Sequence, residues 1–288
     1  MIRSLNIDEA FAPTAHEPIK FTMFKFKGGE MHIKLDSQAN YNESDKVVIT
    51  NRFTSGDDIM KVLIAKDALQ IMGVKNFELV MPYIPYARQD RQCNVGESFT
   101  LKVFTDLINS AKFSKVYVVD AHSDVAPALI NNCVNISNHY YVQELHYCLA
   151  SYRNGELNKE LVLVSPDSGA NKKCNKLFDE VKVFTKIVKC DKRRNLATGA
   201  LSFFEVFSDD LNGTDCLIVD DICDGGRTFV GIAEELKKKN AGDIYLFVTH
   251  GIFSYGTDDL KQYFKKIFTT NSFKDITDDL IQQIKIKI

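Results

Sequence analysis

Long apolar runs, long basic runs and paired cysteine motifs are all absent from this sequence of 288 residues. No uninterrupted apolar segment approaches the roughly 20 residues of a membrane-spanning helix, and the opening MIRSLNIDEAF lacks the basic-then-apolar order of a signal peptide. A formal net charge of -2 gives no general attraction to nucleic acid, so any phosphate binding must be local. We expect a cytoplasmic protein with neither nucleic-acid nor membrane partners.

The seven cysteines are scattered and never form a Cys-x-x-Cys pair. This spacing matches no structural zinc site and predicts free thiols packed as small apolar residues, as in a reducing compartment. Hydrophobic residues at 45% and charged residues at 26% are ordinary globular values, which exclude disordered, collagen-like and coiled-coil classes. The chain is therefore expected to fold into ordinary domains.

Short runs of β-branched and apolar residues alternate with helical patterns along the chain. The first half contains KVVIT, DIMKVLIAKDALQIMG, FELVMPY, FTLKVFTDLINSA and KVYVVDAHSD, and a second cycle runs from ELVLVSPD to DIYLFVTHGIF. This alternation is typical of βαβ units around a parallel sheet. We predict two α/β domains, residues 1–140 and 141–288, with the seam in the polar stretch 136–143 or, as the weaker candidate, 153–159. The final DITDDLIQQIKIKI is predicted as a short helix that packs back on the first domain.

The stretch CLIVDDICDGGRTF, residues 216–229, sets an apolar strand against acids and a glycine pair. A helical pattern restarts after it, so the loop is placed at the carboxyl end of a parallel strand, where open α/β sheets bind ligands. Glycine N–H groups and the helix terminus form a nest for phosphate. Asp220 and Asp221 would repel a phosphate, and we expect them to accept hydrogen bonds from hydroxyl groups beside it. A sugar phosphate satisfies both parts, and the alternative is an Asx-rich turn without a ligand.

The order of strand, two aspartates, two residues, a third aspartate and G-G-x-T resembles the phosphoribosyl pyrophosphate (PRPP) loop of type I phosphoribosyltransferases and of PRPP synthetases. The resemblance implies a ribose 5-phosphate ligand. Transferases consume PRPP and usually have one α/β domain, whereas synthetases make it and have two. The residues that the resemblance assigns to the ribose phosphate in this loop are Asp220, Asp221, Asp224, Gly225, Gly226, Arg227 and Thr228.

Two segments of the first half favour the synthetases. MPYIPYARQDRQ resembles their ATP-binding signature, to which simple transferases have no counterpart, and it implies nucleotide contacts by Arg88, Gln89, Asp90 and Arg91. Guanidinium forks suit a triphosphate, while the glutamine and aspartate can hydrogen-bond the nucleotide. VVDAHSDVAPALI resembles the next signature and implies that His122, which has an aspartate on either side, binds a metal ion.

Three further segments extend the resemblance. VSPDSGANKK resembles a strand that ends in an aspartate facing the ribose and a magnesium ion, a role that falls to Asp167, although this residue can also cap the following helix. KCDKRRNLATG resembles the mobile catalytic loop, in which Lys192 and Arg194 grip the ATP phosphates. MFKFKGGEMHIKL resembles the adenine segment, where Phe26 stacks on the base and Glu30 accepts from its amino group.

The chain is identified by these motifs as a member of the ribose-phosphate pyrophosphokinase (PRPP synthetase) family in a short form, over residues 26–250. The resemblance implies two type I phosphoribosyltransferase-like domains, each a mainly parallel sheet flanked by helices. It implies transfer of the β,γ-diphosphoryl group of Mg-ATP to the anomeric hydroxyl of ribose 5-phosphate, giving PRPP and AMP, with Mg²⁺ as cofactor. Because the family shares its adenine site between subunits, it also implies a homo-oligomer, at least a dimer and by family habit a hexamer.

The sequence departs from the family pattern in four places. Gly28 stands where an aspartate is usual, QCNVGESFTLKVF replaces a basic continuation of the ATP signature, the C-terminus is short, and the sugar-phosphate loop has Gly225 and Arg227 in place of a hydroxyl residue and one without a side chain. Arg227 can offset the lost hydroxyl bond, or it can contact a second phosphate. The second reading makes ADP-ribose the acceptor and its 1-pyrophosphate, for NAD synthesis, the product. Ribose 5-phosphate is the favoured acceptor, and a non-catalytic regulatory partner is the least favoured reading.

Overall fold

The chain divides into two compact units, residues 1–137 with 285–288 and residues 138–284. The sequence places the boundary after residue 140. None of the described helices is both long and apolar enough to cross a membrane. All seven cysteines are free thiols. The computed structural model describes residues 1–36, 41, 43–153, 159–194 and 201–288, without the side chains of residues 192–194 and 201–203.

The first unit is built on a six-stranded parallel sheet with the order β2-β1-β5-β6-β7-β8, beside a separate antiparallel hairpin of β3 and β4. Its helices are Asp57–Ile71 (α1), Thr100–Ser110 (α2) and Val125–Leu129 (α3). Its strands are Ile2–Asn6 (β1), Glu17–Pro18 (β2), Phe21–Lys25 (β3), Met31–Leu35 (β4), Lys46–Thr50 (β5), Asn76–Val80 (β6), Lys115–Val119 (β7) and Cys133–Ile136 (β8).

The core of this unit is formed by the apolar face of a helix packed on the strands of the sheet. Helix α2 buries Leu101, Phe104 and Ile108, which recur at the spacing of one helix face. These residues belong to one apolar cluster with Ile49 of β5 and Leu79 of β6, which are paired in the sheet. The packing fixes the sheet, so the loops after its strands start from defined positions.

The second unit contains a seven-stranded sheet with the order β11-β10-β9-β12-β13-β14-β15, parallel except for the antiparallel β10–β11 pair. Its helices are His139–Tyr152 (α4), Asn171–Glu180 (α5), Arg227–Lys238 (α6) and Asp258–Lys261 (α7). Its strands are Leu161–Ser165 (β9), Lys186–Arg194 (β10), Leu201–Val206 (β11), Asp215–Cys223 (β12), Ile244–Gly251 (β13), Lys266–Thr270 (β14) and Ile281–Ile284 (β15).

Helix α6 is amphipathic and holds the central strands of the second unit from one side. Its buried residues Phe229, Ile232 and Leu236 recur at helical spacing and join the cluster that contains Ile218 of β12 and Leu246 of β13. The predicted α/β class, with mainly parallel sheets flanked by helices, is confirmed. The position of α6 also fixes its N-terminus beside the end of β12.

The prediction of a C-terminal helix is wrong. Residues Ile281–Ile284 form β15, which pairs in parallel with β14. The ending IKIKI alternates isoleucine with lysine, and Ile284 and Ile286 are buried while Lys285 and Lys287 are exposed. This alternation begins only at the last residue of β15, whose β-branched Ile281 and Ile284 favour a strand. The final residues, 285–288, belong to the first unit, where the Ile288 N–H donates to the Pro13 carbonyl at 2.8 Å.

The boundary between the two units, at residues 137–138, falls within the predicted seam 136–143. The seam also contains the start of a helix that was not predicted, because α4 begins at His139. Its buried residues Tyr141, Val142 and Leu145 recur at helical spacing, a pattern that the polar and aromatic residues around them obscure in the sequence. The second unit therefore starts with this helix.

Candidate functional site

The loop after β6 carries the predicted ATP-binding residues of the first unit. Arg88, Gln89 and Arg91 are exposed, whereas Asp90 is only 8% exposed. The Arg91 Nε donates to Asp90 Oδ1 at 2.9 Å. This bond lowers the pKa of Asp90 more than burial raises it, and a hydrogen bond with Ser123 adds to the lowering. The loop thus holds one compensated acid and presents exposed guanidinium groups.

The two signatures of the first unit meet at Asp90. Ser123 bonds to this carboxyl, and the charge of the exposed His122 contributes to lowering its pKa. Two residues near these signatures have left-handed backbones, Tyr86 with φ 61° and Asp120 with φ 42°. Such strain in non-glycine residues concentrates at functional sites. Sequence reasoning missed both, because a backbone angle in these residue types leaves no signal in the sequence.

Phe26 and Glu30 lie at the tip of the β3–β4 hairpin. The Phe26 N–H donates to the Glu30 carbonyl at 2.8 Å, and both side chains are exposed. Phe26 forms an aromatic group with Phe24 and His32, with ring centroids 4.9 Å and 5.8 Å from that of Phe26. Phe24 and His32 were not predicted, although they alternate with Phe26 and Glu30 along the hairpin. The tip offers an exposed aromatic surface that a base can stack on.

The strand β12 was expected to end at the diacid. It continues instead to Cys223 and pairs with β13 along that length. Asp221 is 7% exposed, and Asp220 is partly shielded. Burial, the negative charge of Asp221 and, more weakly, that of Asp167 raise the pKa of Asp220 well above its ordinary value. The negative charge of a neighbouring acid is thus one cause of the shift, which indicates that the two carboxyl groups lie close together.

The predicted phosphate nest is shorter than the sequence suggests. Only Asp224, Gly225 and Gly226 separate β12 from α6, which begins at Arg227 rather than after it. Gly226 is the N-cap, with a left-handed φ of 76° that suits glycine, and no side chain bonds the helix N-terminus there. The first N–H groups of α6, including that of Thr228, are therefore directed at a space suited to an anion.

Asp167 follows β9 and serves two purposes. Its Oδ1 accepts the Ala170 N–H at 3.0 Å and so orders the turn before α5, but no side chain caps the N-terminus of that helix. Its charge also reaches Asp220, which places it in the same acidic group as the diacid. The expectation of a helix cap is therefore wrong, and the role of Asp167 toward the ribose stays a prediction.

Lys192 and Arg194 lie at the end of β10, in the antiparallel pair with β11. Their side chains lie outside the described residues, as do residues 195–200 of the same predicted loop. The strand β11 contacts α6 through the side chain of Phe204. The ring of Phe204 occupies the space where a Cβ on Gly231 would lie. Phe204 and Gly231 were not predicted, since a contact of this kind depends on tertiary packing.

Among the described residues, no set of three or more His, Cys, Asp or Glu side chains is arranged to hold a metal ion. The negative charges of Asp167 and Asp221 nevertheless both raise the pKa of Asp220, so the three carboxyl groups are near one another. Mg²⁺ prefers oxygen ligands and is usually held by one or two carboxylates together with substrate phosphates. The acids of the second unit therefore fit a magnesium ion that binds with a nucleotide, whereas the imidazole of His122 is a poorer match for this cation.

Neither of two cavities in the described residues adds a ligand site to these acids. A space of about 10 Å³ beside Asp220, lined also by Asn138 and Lys173, holds at most one water. A larger cavity of about 310 Å³ in the first unit is lined by residues before β7 and β8, including Asn109 and Asn132. It therefore lies at the amino ends of these strands, whereas open α/β sheets bind ligands at the carboxyl ends.

Two family models match the chain in order. The N-terminal domain of ribose phosphate pyrophosphokinase matches residues 9–111, and the phosphoribosyl transferase domain matches residues 143–281. A phosphoribosylpyrophosphate synthetase structure from Mycobacterium smegmatis resembles the fold with a TM-score of 0.80 at 21% identity, covering 99% of this chain and 94% of that one.

Sequence relatives agree with the family models. The ribose-phosphate pyrophosphokinase of Mycoplasma genitalium is 30% identical over 271 residues, which cover 92% of this chain and 74% of that protein. The Mycoplasma pneumoniae protein of the same name is 32% identical over 246 residues, covering 85% of this chain and 70% of that protein. This chain belongs to the ribose-phosphate pyrophosphokinase family.

Proposed function

We propose that the protein is a ribose-phosphate pyrophosphokinase, a diphosphotransferase that makes PRPP and AMP from ATP and ribose 5-phosphate. The observation that carries the proposal is the match to a relative of that name over 92% of this chain, which spans both compact units. The shielded diacid, followed by a glycine turn and a helix N-terminus, supports it independently, since this arrangement suits a sugar phosphate.

In the proposed reaction, the anomeric oxygen of ribose 5-phosphate forms a bond to the β-phosphorus of ATP. The bond between that phosphorus and the oxygen bridging to the α-phosphorus breaks, the bridging oxygen leaves with AMP, and the anomeric proton is released. Such a step requires alignment and charge neutralisation rather than a covalent nucleophile on the protein. The chain's task is to hold two polyanions in line with each other.

The second unit binds the acceptor in this proposal. Asp220 and Asp221 accept hydrogen bonds from the ribose hydroxyls, and these bonds to charged groups compensate the repulsion between the two acids. The 5′-phosphate lies on the N–H groups that start α6, wrapped by the nest residues. The full set assigned to the acceptor is Asp167, Asp220, Asp221, Asp224, Gly225, Gly226, Arg227 and Thr228.

The first unit binds ATP. The exposed guanidinium groups of Arg88 and Arg91 meet the triphosphate, while Gln89 and the hairpin-tip residues Phe26 and Glu30 contact the adenosine. Asp90 keeps Arg91 oriented through their ion pair. Lys192 and Arg194 complete the phosphate contacts and are the proposed catalytic residues, because cations there stabilise charge that develops as the diphosphoryl group moves.

Mg²⁺ is the proposed cofactor, held by Asp167 and the diacid, with His122 as a further candidate ligand. When bound, it neutralises part of the triphosphate charge. Ribose 5-phosphate is the proposed acceptor, since the relatives described above are named for ribose phosphate and their names give no support to ADP-ribose or to a non-catalytic role. A homo-oligomer, at least a dimer, follows if the hairpin tip completes a neighbour's adenine site.

The test is AMP release from Mg-ATP with ribose 5-phosphate, measured against the same reaction with ADP-ribose. We expect turnover with ribose 5-phosphate and little with ADP-ribose. No AMP with either acceptor would overturn the proposed function, and preference for ADP-ribose would overturn the choice of acceptor. Lys192→Ala and Arg194→Ala should each abolish most turnover, whereas Arg193→Ala, which removes the intervening cation, is the matched control and should retain it.

A further inference from the structure

Tyr255 lies beside the phosphate nest, and neither the motifs nor the family assignment accounts for it. Its side chain is 80% exposed. A single exposed aromatic is ordinary on a protein surface and by itself indicates nothing. What distinguishes this one is its contact with the nest, because the edge of its ring faces Gly225.

The segment that carries Tyr255 is fastened to the nest by hydrogen bonds. The N–H groups of Ile252 and Phe253 donate to the Cys223 carbonyl at 2.9 Å and 3.1 Å. Ser254 donates twice to Asp224, from its N–H to the carbonyl at 3.1 Å and from its Oγ to Oδ1 at 2.6 Å. Tyr255 is the next residue. Its backbone position is therefore set by the same residues that form the phosphate loop.

Anchoring on the other side comes from the core. Phe253 is 6% exposed, belongs to the apolar cluster beneath β12, and has a left-handed φ of 46°. The turn closes with the Gly256 N–H on the Phe253 carbonyl at 3.1 Å, and Gly256 has φ 77°. Strain of this kind persists only where surrounding contacts impose it. The turn holds an exposed ring in one place against the loop.

Gly225 supplies the second observation. Unlike Gly226, it does not have a positive φ, so its backbone conformation alone does not require glycine. A Cβ at Gly225 would lie 3.1 Å from Cδ2 and 3.2 Å from Cε2 of Tyr255, tighter than ordinary carbon contacts. The small residue in the nest and the large residue beside it therefore fit each other as a pair.

We propose that Tyr255 is a specificity-determining residue whose phenol hydroxyl donates a hydrogen bond to the 5′-phosphate of the acceptor, an inference that rests on the proposed function. Cε2 is bonded to Cζ, the ring carbon that bears the hydroxyl, so the donor is two bonds away from an atom that faces Gly225. Among the described residues, this hydroxyl donates to no protein acceptor. Glycine at position 225 offers no side-chain donor, and Tyr255 takes that place from outside the loop.

The experiment compares Tyr255→Phe with the parent enzyme, using Tyr147→Phe as the control, since Tyr147 is a similarly exposed tyrosine of the same unit. Losing a hydrogen bond to a charged group should raise KM for ribose 5-phosphate about tenfold, with kcat and KM for ATP within about twofold. Calorimetry should show the same loss in the affinity for ribose 5-phosphate and no change for ribose, which lacks the phosphate. Tyr147→Phe should leave all five quantities unchanged.

A coupling measurement separates this role from a merely structural one. Gly225→Ala should push the ring away and raise KM for ribose 5-phosphate, but it should add little in the Tyr255→Phe background, because the bond is already absent there. Unchanged KM in Tyr255→Phe, or a change confined to kcat or to KM for ATP, would overturn the proposal. A parent enzyme that releases no AMP would instead refute the proposed function, so the two failures are distinguishable.

Discussion

Asp90 and Asp220 are shielded carboxyl groups in the two predicted binding regions, and their pKa values shift in opposite directions. Asp90 is lowered, chiefly by its hydrogen bond with Arg91. Asp220 is raised, chiefly by burial and then by Asp221. In the first region the acid is paired with an arginine, and the exposed guanidinium groups are suited to bind an anion. In the second, an acid with a raised pKa lies beside another acid, where hydroxyl donors or a cation can bind, so each region is suited to a different substrate.

The largest expected effect comes from removing one acid of the second region. Asp221→Asn should reduce kcat/KM for ribose 5-phosphate about 10- to 100-fold, because a neutral amide loses a charge-assisted bond to the ribose. It should also bring the pKa of Asp220 closer to its ordinary value, because the charge of Asp221 is one cause of the raised pKa. AMP release measures the first effect, and thermal unfolding at a series of pH values measures the second.

The sign of the pH dependence follows from the raised pKa of Asp220. A carboxyl that binds its proton more tightly in the folded state makes the free energy of unfolding fall as pH rises above its unfolded pKa of about 3.9. The loss is complete once pH exceeds the raised pKa of the folded state. Asp221→Asn should flatten this decline, and an unchanged slope would show that the charge of Asp221 does not raise the pKa of Asp220.

A second large effect is expected from the packing of Phe204 on α6. Gly231→Ala places a methyl group where the Phe204 ring lies, and such overpacking costs about 1–3 kcal/mol. Because β11 pairs with β10, the change should also lower kcat by moving Lys192 and Arg194. Chemical denaturation and AMP release report both. Gly28→Ala is the control for stability, since a Cβ there meets nothing within 4 Å and Gly28 has no positive φ, so the midpoint should be unchanged.

The two regions also differ in how far the sequence predicts them. In the second, an apolar strand, acids and glycines in one order place the nest within a few residues, because strand, turn and helix are each set by local sequence. What local sequence does not contain is the pairing of Gly225 with Tyr255, separated by the whole of α6 and β13. The strained backbones at Tyr86 and Asp120 are equally invisible, since they depend on surrounding contacts.

The C-terminus shows the opposite failure, in which a local signal was present and misread. The residues of IKIKI alternate, yet the preceding acids and glutamines favour a helix start. The strand is formed because β14 offers a free edge for Ile281–Ile284 to pair with. The conformation of Ile281–Ile284 is thus set by its pairing with β14, which the local sequence does not reveal.

A smaller effect is expected in the first region. Asp90→Asn removes an ion pair with an exposed arginine and should lower the free energy of unfolding by about 1 kcal/mol at pH 7. Since the folded pKa of Asp90 is lowered, its contribution is complete above the unfolded pKa and disappears as pH falls through the folded value. Denaturation midpoints of parent and variant should therefore converge as pH falls below the unfolded pKa of about 3.9 and through the lower folded value. If the difference between the two midpoints stayed constant as pH falls, the ion pair would be excluded as the cause of the lower stability.

The smallest effect is expected at Glu97, in the exposed continuation of the ATP loop. Its carboxylate accepts the N–H groups of Cys93 and Asn94, each at 3.0 Å, and the Asn94 amide at 2.6 Å, which together lower its pKa. Glu97→Gln should change the melting temperature by less than about 2 °C, because the turn is exposed and its hydrogen bonds exchange with water. A larger drop would mean that this loop is fixed as firmly as the nest, and the contrast between a preformed acceptor site and an adaptable nucleotide loop would then fail.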